Sequence, residues 1–395
     1  MLVLLGLIGL CIVLTASSVS AASTVYVNAT GGSDSNNGTI DHPYQTIYQG
    51  ISSVDENGTV KIADGVYTGT NNTNITITKN VNINGQSQTG TIINGTGTNW
   101  IFNILSGVTV NISNLTFTNA TTTDNGAAIH NSGTLALSDC TFTGNTATGS
   151  YYPYGLGGAL YNNGIINVSG CTFTNNTGCY GGAIQNEGTM TNLANCKFAN
   201  NTAQDYGGAI DSGANDGVSI GNVTGCTFTG NTAGASGGAI DNWYSTIGSL
   251  TGCIFTGNTA SYSGNAIANW YTGSSISAHF NSFINNTGSY STLYCSETGA
   301  FINATDNWWG TNTPDFDSLI ATDDGSIDVS SWLYMNITSN SDNLFNSGHT
   351  NVIINFNNAY NGTTIISLNP ANGHIPDGTL VNFNSALGTF SPVTT

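Results

Sequence analysis

The chain has 395 residues, a formal charge of −18 and only 6% charged residues. Such an acidic composition excludes nucleic acid and anionic membrane surfaces as electrostatic partners, and it repels polyanionic substrates. Its richness in Gly, Asn, Thr and Ser would by itself suggest low complexity. Regular recurring phrases favour a folded repeat protein instead.

The first 22 residues have the pattern of a secretory leader. Residues 2–14 are apolar, and the small residues that follow end at Ala21 and Ala22. This pattern predicts a signal peptide over 1–22 and a secreted or cell-surface protein. A membrane-spanning helix is the alternative, although the apolar run is shorter than the ~20 residues of a comfortable span. No later segment is expected to enter a membrane.

Export makes Asn-x-Ser/Thr triplets potential glycan acceptors. In so Asn- and Thr-rich a chain many of these triplets arise by chance, so partial use on outward turns is expected. The glycosylation candidates are Asn74, Asn167, Asn222 and Asn303.

Residues 23–119 are predicted to form an N-terminal cap and the first coils of a solenoid. A short strand at Tyr26–Asn28, a Gly-rich turn and a short helix from Tyr44 to Val54 are expected. This arrangement resembles the opening of pectate-lyase-like β-helices. The physical need is a cover for the end of the core, which would otherwise expose apolar side chains and strand edges.

Residues 120–310 alternate two phrases. The first is Gly-Gly-Ala-Ile or a close variant, and it begins at Gly126, Gly157, Gly181, Gly207, Gly237 and Gly264. The second is Phe-x-x-Asn, and its Phe positions, counting Phe117 as a degenerate first copy and ending at Phe283, are 25, 31, 25, 30, 27 and 28 residues apart. A fixed period of this size indicates stacked repeats. Short alternating apolar runs bounded by Gly and Asn predict strands, and hence a parallel β-helix of eight to ten coils.

Stacking aligns equivalent residues in columns. Cys140, Cys171, Cys196, Cys226 and Cys253 each lie two residues before a repeated Phe. A strand places residues two apart on the same face, so Cys and Phe are both predicted to be interior. The thiols are expected to be free, because in-register Cβ vectors run side by side and suit a disulfide poorly. The Asn of the Phe-x-x-Asn phrase and the Asn that follows the Gly-Gly-Ala-Ile phrase are each expected to form an amide column.

Together the two phrases resemble the repeat of chlamydial polymorphic outer-membrane proteins and of adhesin-like surface proteins of methanogenic archaea. The resemblance covers about residues 115–290. It implies an all-β protein with a right-handed parallel β-helix (a pectin-lyase-like solenoid) that is displayed at a cell surface for adhesion. It implies no catalytic site.

Two further segments follow the repeats. Residues 311–334, after the Asn307-Trp308-Trp309-Gly310 phrase, are predicted to form a terminal cap and linker. Residues 335–395 are predicted to begin an immunoglobulin-like domain, with strands at Asn351–Phe356, Thr364–Leu368 and Thr379–Phe383. The motif at Ile375–Thr379 resembles invasin-type bacterial immunoglobulin-like domains, of which only a part is present.

Asp211 and Asp241 are the candidate metal ligands. Each follows the Ile of a Gly-Gly-Ala-Ile phrase, so each is predicted to face solvent, one strand apart at about 4.8 Å. Three interpretations stay open. The pair binds Ca²⁺, which prefers carboxylate oxygens; it serves glycoside hydrolysis; or it consists of two solvated turn residues.

Aromatic residues accompany this pair. Trp243-Tyr244 recurs one coil later as Trp270-Tyr271. Stacked exposed rings offer a flat face to a sugar or a protein partner, and the alternative is aromatic packing that shields a coil edge. The candidate ligand-binding residues are therefore Asp211, Asp241, Trp243, Tyr244, Trp270 and Tyr271.

The sequence thus predicts a surface adhesin that attaches to glycans or proteins of a partner cell, without catalysis and without a cofactor other than an optional Ca²⁺. The alternative is a polysaccharide lyase or glycosidase on the same fold. Lyases neutralise a uronate with Arg, Lys or Ca²⁺, and this chain has no Arg and only three Lys, in no common column.

Overall fold

A computed structural model describes residues 23–149, 152–213, 217–288, 290–340, 350–369, 371, 373–379 and 381. The predicted signal peptide lies outside the described residues. So do residues 382–395, which contain the end of the predicted Thr379–Phe383 strand.

The repeats form a right-handed parallel β-helix of about ten turns, as predicted. Each complete repeat passes in order through four parallel sheets, which we call A, B, C and D. Sheet A contains 12 strands, sheet B 9, sheet C 6 and sheet D 10. Every strand pairs with its equivalents in the previous and next turns, so the repeat in sequence becomes a set of straight columns in space.

The strands of sheet A are Thr24–Val27, Gly58–Ile62, Val81–Gly85, Thr109–Ser113, Thr134–Ser138, Ile165–Ser169, Thr189–Ala194, Ser219–Thr224, Thr246–Thr251, Ser275–His279, Phe301–Asn303 and Ser326–Asp328. Those of sheet B are Gly65–Thr68, Thr91–Asn94, Thr116–Thr118, Thr141–Thr143, Thr172–Thr174, Lys197–Ala199, Thr227–Thr229, Ile254–Thr256 and Ser282–Ile284.

Sheet C consists of the short strands Thr121–Thr122, Thr146–Ala147, Thr177–Gly178, Thr202–Ala203, Thr232–Ala233 and Thr259–Ala260. Sheet D consists of Ile75–Ile77, Phe102–Ile104, Ile129–Asn131, Leu160–Asn162, Ile184–Asn186, Ile210–Ser212, Ile240–Asn242, Ile267–Asn269, Leu293–Cys295 and Ile320–Thr322.

Left-handed residues make the corners between these sheets. The corner between A and B has positive φ at Asn114, Asp139, Gly170, Asn195, Gly225 and Gly252. Asn, Asp and Gly tolerate this conformation best, which explains why they occupy these six positions, and Phe280 is the exception at the equivalent corner of a later turn. The corner from B to C uses a second such column.

The repeated Phe residues form one interior stack. From Phe117 to Phe255, successive ring centroids are 4.7–4.9 Å apart and nearly parallel. Phe283 continues the stack, and Trp309 closes it at 5.1 Å. The predicted interior Phe column is confirmed.

The Asn residues of the Phe-x-x-Asn phrase form a buried amide ladder. Asn176 donates from Nδ2 to Asn201 Oδ1 at 2.9 Å and to the carbonyl oxygen of Phe142 at 3.1 Å. Its Oδ1 accepts from the backbone N–H and from Nδ2 of Asn145. The same pattern recurs in the turns of Asn201, Asn231 and Asn258.

The Cys column is also interior and reduced. All seven cysteines among the described residues are buried and free, as predicted for the five column thiols. The thiol sulfur of Cys226 accepts the backbone N–H of Cys196 at 3.4 Å, so the column contributes to coil-to-coil bonding without a covalent link.

Both ends of the solenoid are covered. At the N-terminus the helix Ile47–Ser53 buries Ile47 and Ile51, and Thr46 Oγ1 caps it by accepting the Gln49 N–H. The predicted cap helix is therefore confirmed. At the other end lies the short helix Phe316–Leu319, and the last strands of sheets A and D fall within 320–328, so the coil continues beyond residue 310.

The described part of the tail forms a three-stranded antiparallel sheet. Its strands are Trp332–Ser339, Val352–Tyr360 and Ile365–Ser367. Phe356 meets Trp308 edge-to-face at 4.8 Å, which packs the sheet on the end of the solenoid. Two of the predicted strands are found, but one sheet is not a sandwich, so the partial immunoglobulin-like domain stays a prediction.

Candidate functional site

The outer face of sheet D carries the residues that sequence reasoning singled out. Each three-residue strand directs its first and third side chains inward, and the second outward. Strand register places Tyr161, Gln185, Asp211, Asp241 and Ala268 in one outer column, with Asp211 directly opposite Asp241. The predicted adjacency of the two carboxylates is confirmed.

The prediction that these carboxylates face solvent is wrong. Asp211 is 2% exposed and Asp241 is fully buried. The preceding Gly-Gly turn folds back over its own strand, so that a Cβ on Gly237 would lie 2.7 Å from the Asp241 Cβ. The positive φ of 67° at Gly237 permits this close return. The glycines of the repeated phrase are the sequence feature that could have indicated this covering of the carboxylates.

A continuous row of aromatic rings completes the cover. Tyr180 lies 5.2 Å from Tyr206, Tyr206 meets Trp243 at 4.8 Å, and Trp243 lies 5.8 Å from Trp270. Trp270 in turn contacts Tyr294 at 5.0 Å. We call these five residues the aromatic row. The Tyr206–Trp243 contact joins residues that enter the row from opposite sides of sheet D.

Tyr244 and Tyr271 lie beside the row. Their rings stack at 4.0 Å with an interplanar angle of 18°, and Tyr271 also contacts Trp243 at 5.1 Å. Tyr244 is exposed, whereas most rings of the row are half-buried. The predicted coil-to-coil pairing of the Trp-Tyr dipeptides is therefore confirmed, and its outer face is open to solvent.

Beneath the row lie polar atoms without partners. Oδ1 of Asp211, Oδ1 of Asp241, and both side-chain polar atoms of Gln185 are buried and have no hydrogen bond to any residue that the structure describes. Asp241 Oδ2 accepts the indole N–H of Trp270 at 3.2 Å. Buried polar groups are normally satisfied, so several adjacent exceptions mark this column as unusual.

Glu187 and Tyr294 belong to this site, and sequence reasoning missed them. Glu187 Oε2 accepts the Tyr161 hydroxyl at 2.6 Å, while Oε1 has no partner. Its repeat position, directly after a buried Asn, is also that of Trp243 and Trp270, which was the available signal. Tyr294 continues the outer column one strand beyond Ala268.

Burial changes the protonation of the pair. Loss of solvent raises the pKa of Asp211 to about 7, and the neighbouring Glu187 carboxylate acts in the same direction. Burial and the negative charge of Asp211 raise the pKa of Asp241 well above its usual value. Near neutral pH the pair therefore retains protons that solvated carboxyls would lose.

The site contains no basic partner for these carboxylates. Of the chain's three lysines, Lys61 lies above the Tyr26 ring near the N-terminus, and Lys79 donates to the carbonyl of Ser52 at the end of the cap helix. Lys197 is exposed on the outside of sheet B. The negative charge of the acidic groups at this site is therefore not balanced by a lysine or an arginine.

The carboxylate pair alone offers few metal ligands. Within the described ranges, no group of three or more His, Cys, Asp or Glu residues could hold a metal ion. Ca²⁺ takes six to eight oxygen ligands, so carbonyl oxygens and water would have to supply most of them. The Ca²⁺ hypothesis for Asp211 and Asp241 stays a prediction.

The glycosylation candidates lie on the outside of the solenoid. Asn74, Asn167 and Asn222 are exposed, whereas Asn303 is half-buried and accepts the Thr305 hydroxyl at 3.0 Å. The first three are therefore the more accessible acceptors.

A separate groove of about 520 Å³ lies beside the N-terminal cap, far in sequence from sheet D's candidate residues. Tyr26, Ile40, Lys61 and Gln86 are among its lining residues. None of the candidate ligand-binding residues borders it.

Comparison with known proteins matches the repeats and the fold. The chain matches the model of the Chlamydia polymorphic membrane protein repeat at residues 139–163, 170–187, 195–213 and 225–242. These four stretches include Asp211 and Asp241. The resemblance deduced from the two phrases is thereby confirmed for the repeats, which are typical of outer-membrane and surface proteins.

Three solved structures with a similar chain path are carbohydrate-active enzymes. A rhamnogalacturonan lyase is 12% identical, with a TM-score of 0.47 over 78% of this chain and 87% of that one. A GH136 lacto-N-biosidase from Eubacterium ramulus is 14% identical, with a TM-score of 0.34 over 78% and 68%. A pectin methylesterase crystallised with a hexasaccharide is 14% identical, with a TM-score of 0.29 over 78% and 90%.

No curated protein matches the chain. In the part of the chain that the structure describes, no helix is long and apolar enough to cross a membrane.

Proposed function

We propose that this protein is an exported, adhesin-like β-helical rod that attaches to glycans or proteins on a partner cell without catalysing a reaction. The observation that carries the proposal is the aromatic row on sheet D, together with the solvent-exposed ring of Tyr244 beside it. The surface-protein character of the matched repeat supports the same function.

The row suits attachment because it extends along the solenoid. From Tyr180 to Tyr294 successive rings are 4.8–5.8 Å apart, and each comes from a different turn or flank of the rigid sheet. Aromatic faces contribute much of the energy of contacts with sugars and proteins. A row attached to a fixed sheet can therefore contact several units of an extended ligand without movement of the backbone.

A glycosidase or lyase is the second candidate function, and one observation favours it. Asp211 and Asp241 are adjacent, buried and raised in pKa, which are the properties that poise a carboxyl as a general acid. Against it, the rings cover both carboxylates, and no Arg or Lys lies beside them to stabilise an anionic intermediate.

The test is binding to a glycan array and to partner cells, with and without Ca²⁺, alongside assays for reducing ends and unsaturated products. Trp243→Ala and Trp270→Ala should each weaken binding about tenfold, because each removes one ring of the row. Tyr48→Ala is the matched control, since Tyr48 is 49% exposed on the distant cap helix. That variant should bind like the wild type.

The outcomes separate the two functions. Binding without product formation supports the adhesin. Turnover of any polysaccharide that is lost in Asp211→Ala or Asp241→Ala would establish the enzyme instead. Binding that survives both Trp substitutions would show that attachment occurs elsewhere on the molecule.

A further inference from the structure

The site beneath the aromatic row has the chemistry of a cation receptor. Oδ1 of Asp211 and Oδ1 of Asp241 are buried and accept no hydrogen bond from the described residues, although the Gln185 amide lies close to Asp211, and the two carboxylates lie on neighbouring strands. An ionised carboxylate only accepts hydrogen bonds, so the two Asp side chains cannot satisfy each other when both are charged. On its own the pair retains a proton, and a donor that also carries positive charge can take the place of that proton.

The rings above these oxygens favour the same kind of ligand. The faces of Trp and Tyr attract ammonium groups, with Trp the strongest, and aromatic cages are a recurring receptor for such cations. Here the indole of Trp270 donates to Asp241, and Trp243 and then Tyr206 continue the row of ring contacts from Trp270. A neutral sugar would use the rings and leave the carboxylates unexplained, and an anionic sugar would be repelled by them.

No lysine or arginine of the chain competes for this site. Lys61, Lys79 and Lys197 are the only lysines, there is no arginine, and each lysine lies outside sheet D. The nearest other acids, Glu187 and Asp205, add negative charge to the same face. The charge complementarity of the site is thus left for a ligand to provide.

We propose that the aromatic row and the Asp211–Asp241 pair recognise an ammonium group on the attached glycan, namely the free amine of a hexosamine that lacks its N-acetyl group. This inference rests on the proposed attachment function and specifies its ligand class. Two N–H groups of the ammonium donate to the unpartnered Oδ1 atoms, and the sugar ring lies against Trp243 or Trp270.

Access requires the rings to move rather than the strands. Asp211 and Asp241 are held by sheet hydrogen bonds on both sides, whereas Tyr206 and Trp243 are half-buried side chains that meet edge-to-face. Rotation of the two rings opens the contact to the ligand and lets its ammonium reach the carboxylates. A primary ammonium has N–H groups to donate and a quaternary one has none, so the primary form should bind more tightly.

The experiment compares matched ligands by isothermal titration calorimetry. The probes are glucosamine oligosaccharides and fully N-acetylated oligosaccharides of the same length, with tetramethylammonium as a cation that lacks a sugar. We expect the amine form to bind at least tenfold more tightly than the N-acetylated form. Asp211→Asn and Asp241→Asn should remove this preference, while weak binding of the N-acetylated ligand through the rings is retained.

Asp139→Asn is the matched control for general electrostatic attraction. Asp139 is exposed at a corner of the solenoid, its φ of 51° is tolerated by Asn, and the substitution removes one negative charge like the site variants do. It should leave the preference unchanged. A preference that falls equally in Asp139→Asn would mean non-specific attraction to an acidic protein and would overturn the proposal.

The remaining outcomes separate this inference from the attachment function. Equal affinity for amine and N-acetylated ligands, or a preference that survives Asp211→Asn, overturns the ammonium site but leaves glycan attachment standing. Tetramethylammonium binding without oligosaccharide binding overturns the amino-sugar assignment in favour of a quaternary headgroup. Ammonium recognition by a protein that binds no partner cell would retain the site and defeat the adhesin.

Discussion

Two of the buried polar columns along this solenoid differ strongly in their hydrogen bonding. The amide ladder follows the Phe stack at the B–C corner, and each Asn donates to the next Oδ1 at 2.9 Å and to a Phe carbonyl oxygen. The outer column of sheet D contains Gln185, Asp211 and Asp241, and all three have buried polar atoms without any partner. Both columns repeat once per turn, and both are closed to solvent.

The difference follows from the chemistry of the side chains. An amide has a donor and an acceptor, so identical amides satisfy one another indefinitely when they stack. Ionised carboxylates have acceptors only and repel each other. An amide column therefore stabilises the coil that contains it, whereas a carboxylate column costs stability unless something else is bound there. In this protein the column with identical residues in every turn is structural, and the column in which the residue type changes from turn to turn contains the candidate site.

The largest expected effect is on the satisfied column. Asn201→Leu removes the acceptor of the Asn176 backbone N–H and Nδ2, and it removes the donor to the Phe173 carbonyl oxygen. A buried polar group left without a partner costs about 1–3 kcal/mol. We therefore expect a loss of about 4 kcal/mol in the free energy of unfolding, measured by chemical denaturation.

Thr202→Ala is the control for this substitution, because Thr202 is the adjacent residue and is exposed. Its effect should stay within about 0.5 kcal/mol. If Asn201→Leu unfolds at the same denaturant concentration as the control, the ladder does not stabilise the solenoid and the contrast between the columns fails.

The second prediction concerns the unsatisfied column and its dependence on pH. Burial raises the pKa of Asp211 from 3.8 to about 7, so the folded state holds the proton more tightly than the unfolded state does. The resulting stability is fully present below about pH 4 and is lost as the pH rises through about 7. Because one pKa unit corresponds to about 1.4 kcal/mol, the loss is at most about 4 kcal/mol.

Unfolding measured between pH 4 and pH 8 checks this prediction. General repulsion within a chain of charge −18 also weakens the fold as pH rises, so the comparison must be with variants. Asp211→Asn should flatten the profile, and Asp139→Asn should leave it parallel to that of the wild type. Identical slopes in all three proteins would mean that Asp211 is solvated and that the cover over the pair is open.

The sequence predicts more of the first column than of the second. The spacing of Phe198 and Asn201 suffices to predict an interior stack and an amide ladder, because every turn repeats the same residues in register. The burial of Asp241 could not be predicted in this way. It depends on how the Gly237 turn returns over its own strand and on the Tyr206–Trp243 contact between neighbouring turns, and the spacing of the repeat specifies neither.

The C-terminal antiparallel sheet is a second part of the fold that the sequence predicts only in part. The strands predicted at Asn351–Phe356 and Thr364–Leu368 are found at Val352–Tyr360 and Ile365–Ser367, since strand formation follows local pattern but the ends of strands do so less closely. The packing of Phe356 on Trp308 depends on where the solenoid ends in space, which no local pattern specifies.

The smallest expected effect is that the buried cysteines of the native protein do not react with an alkylating reagent. It tests whether the interior of the solenoid is closed to solvent. Cys140, Cys171, Cys196, Cys226 and Cys253 are at most 2% exposed and free. A thiol alkylating reagent should therefore leave all five unlabelled in the native protein and label all five after denaturation, because the reagent cannot enter the packed interior. Peptide mass spectrometry of unreduced, alkylated protein gives the readout for each cysteine. A Cys140–Cys171 or Cys196–Cys226 disulfide, or labelling of the native column, would contradict the closed interior. Rapid quenching of Trp243 and Trp270 fluorescence by a small soluble quencher, with no labelling of the thiols, would show that solvent reaches the aromatic row but not the thiol column.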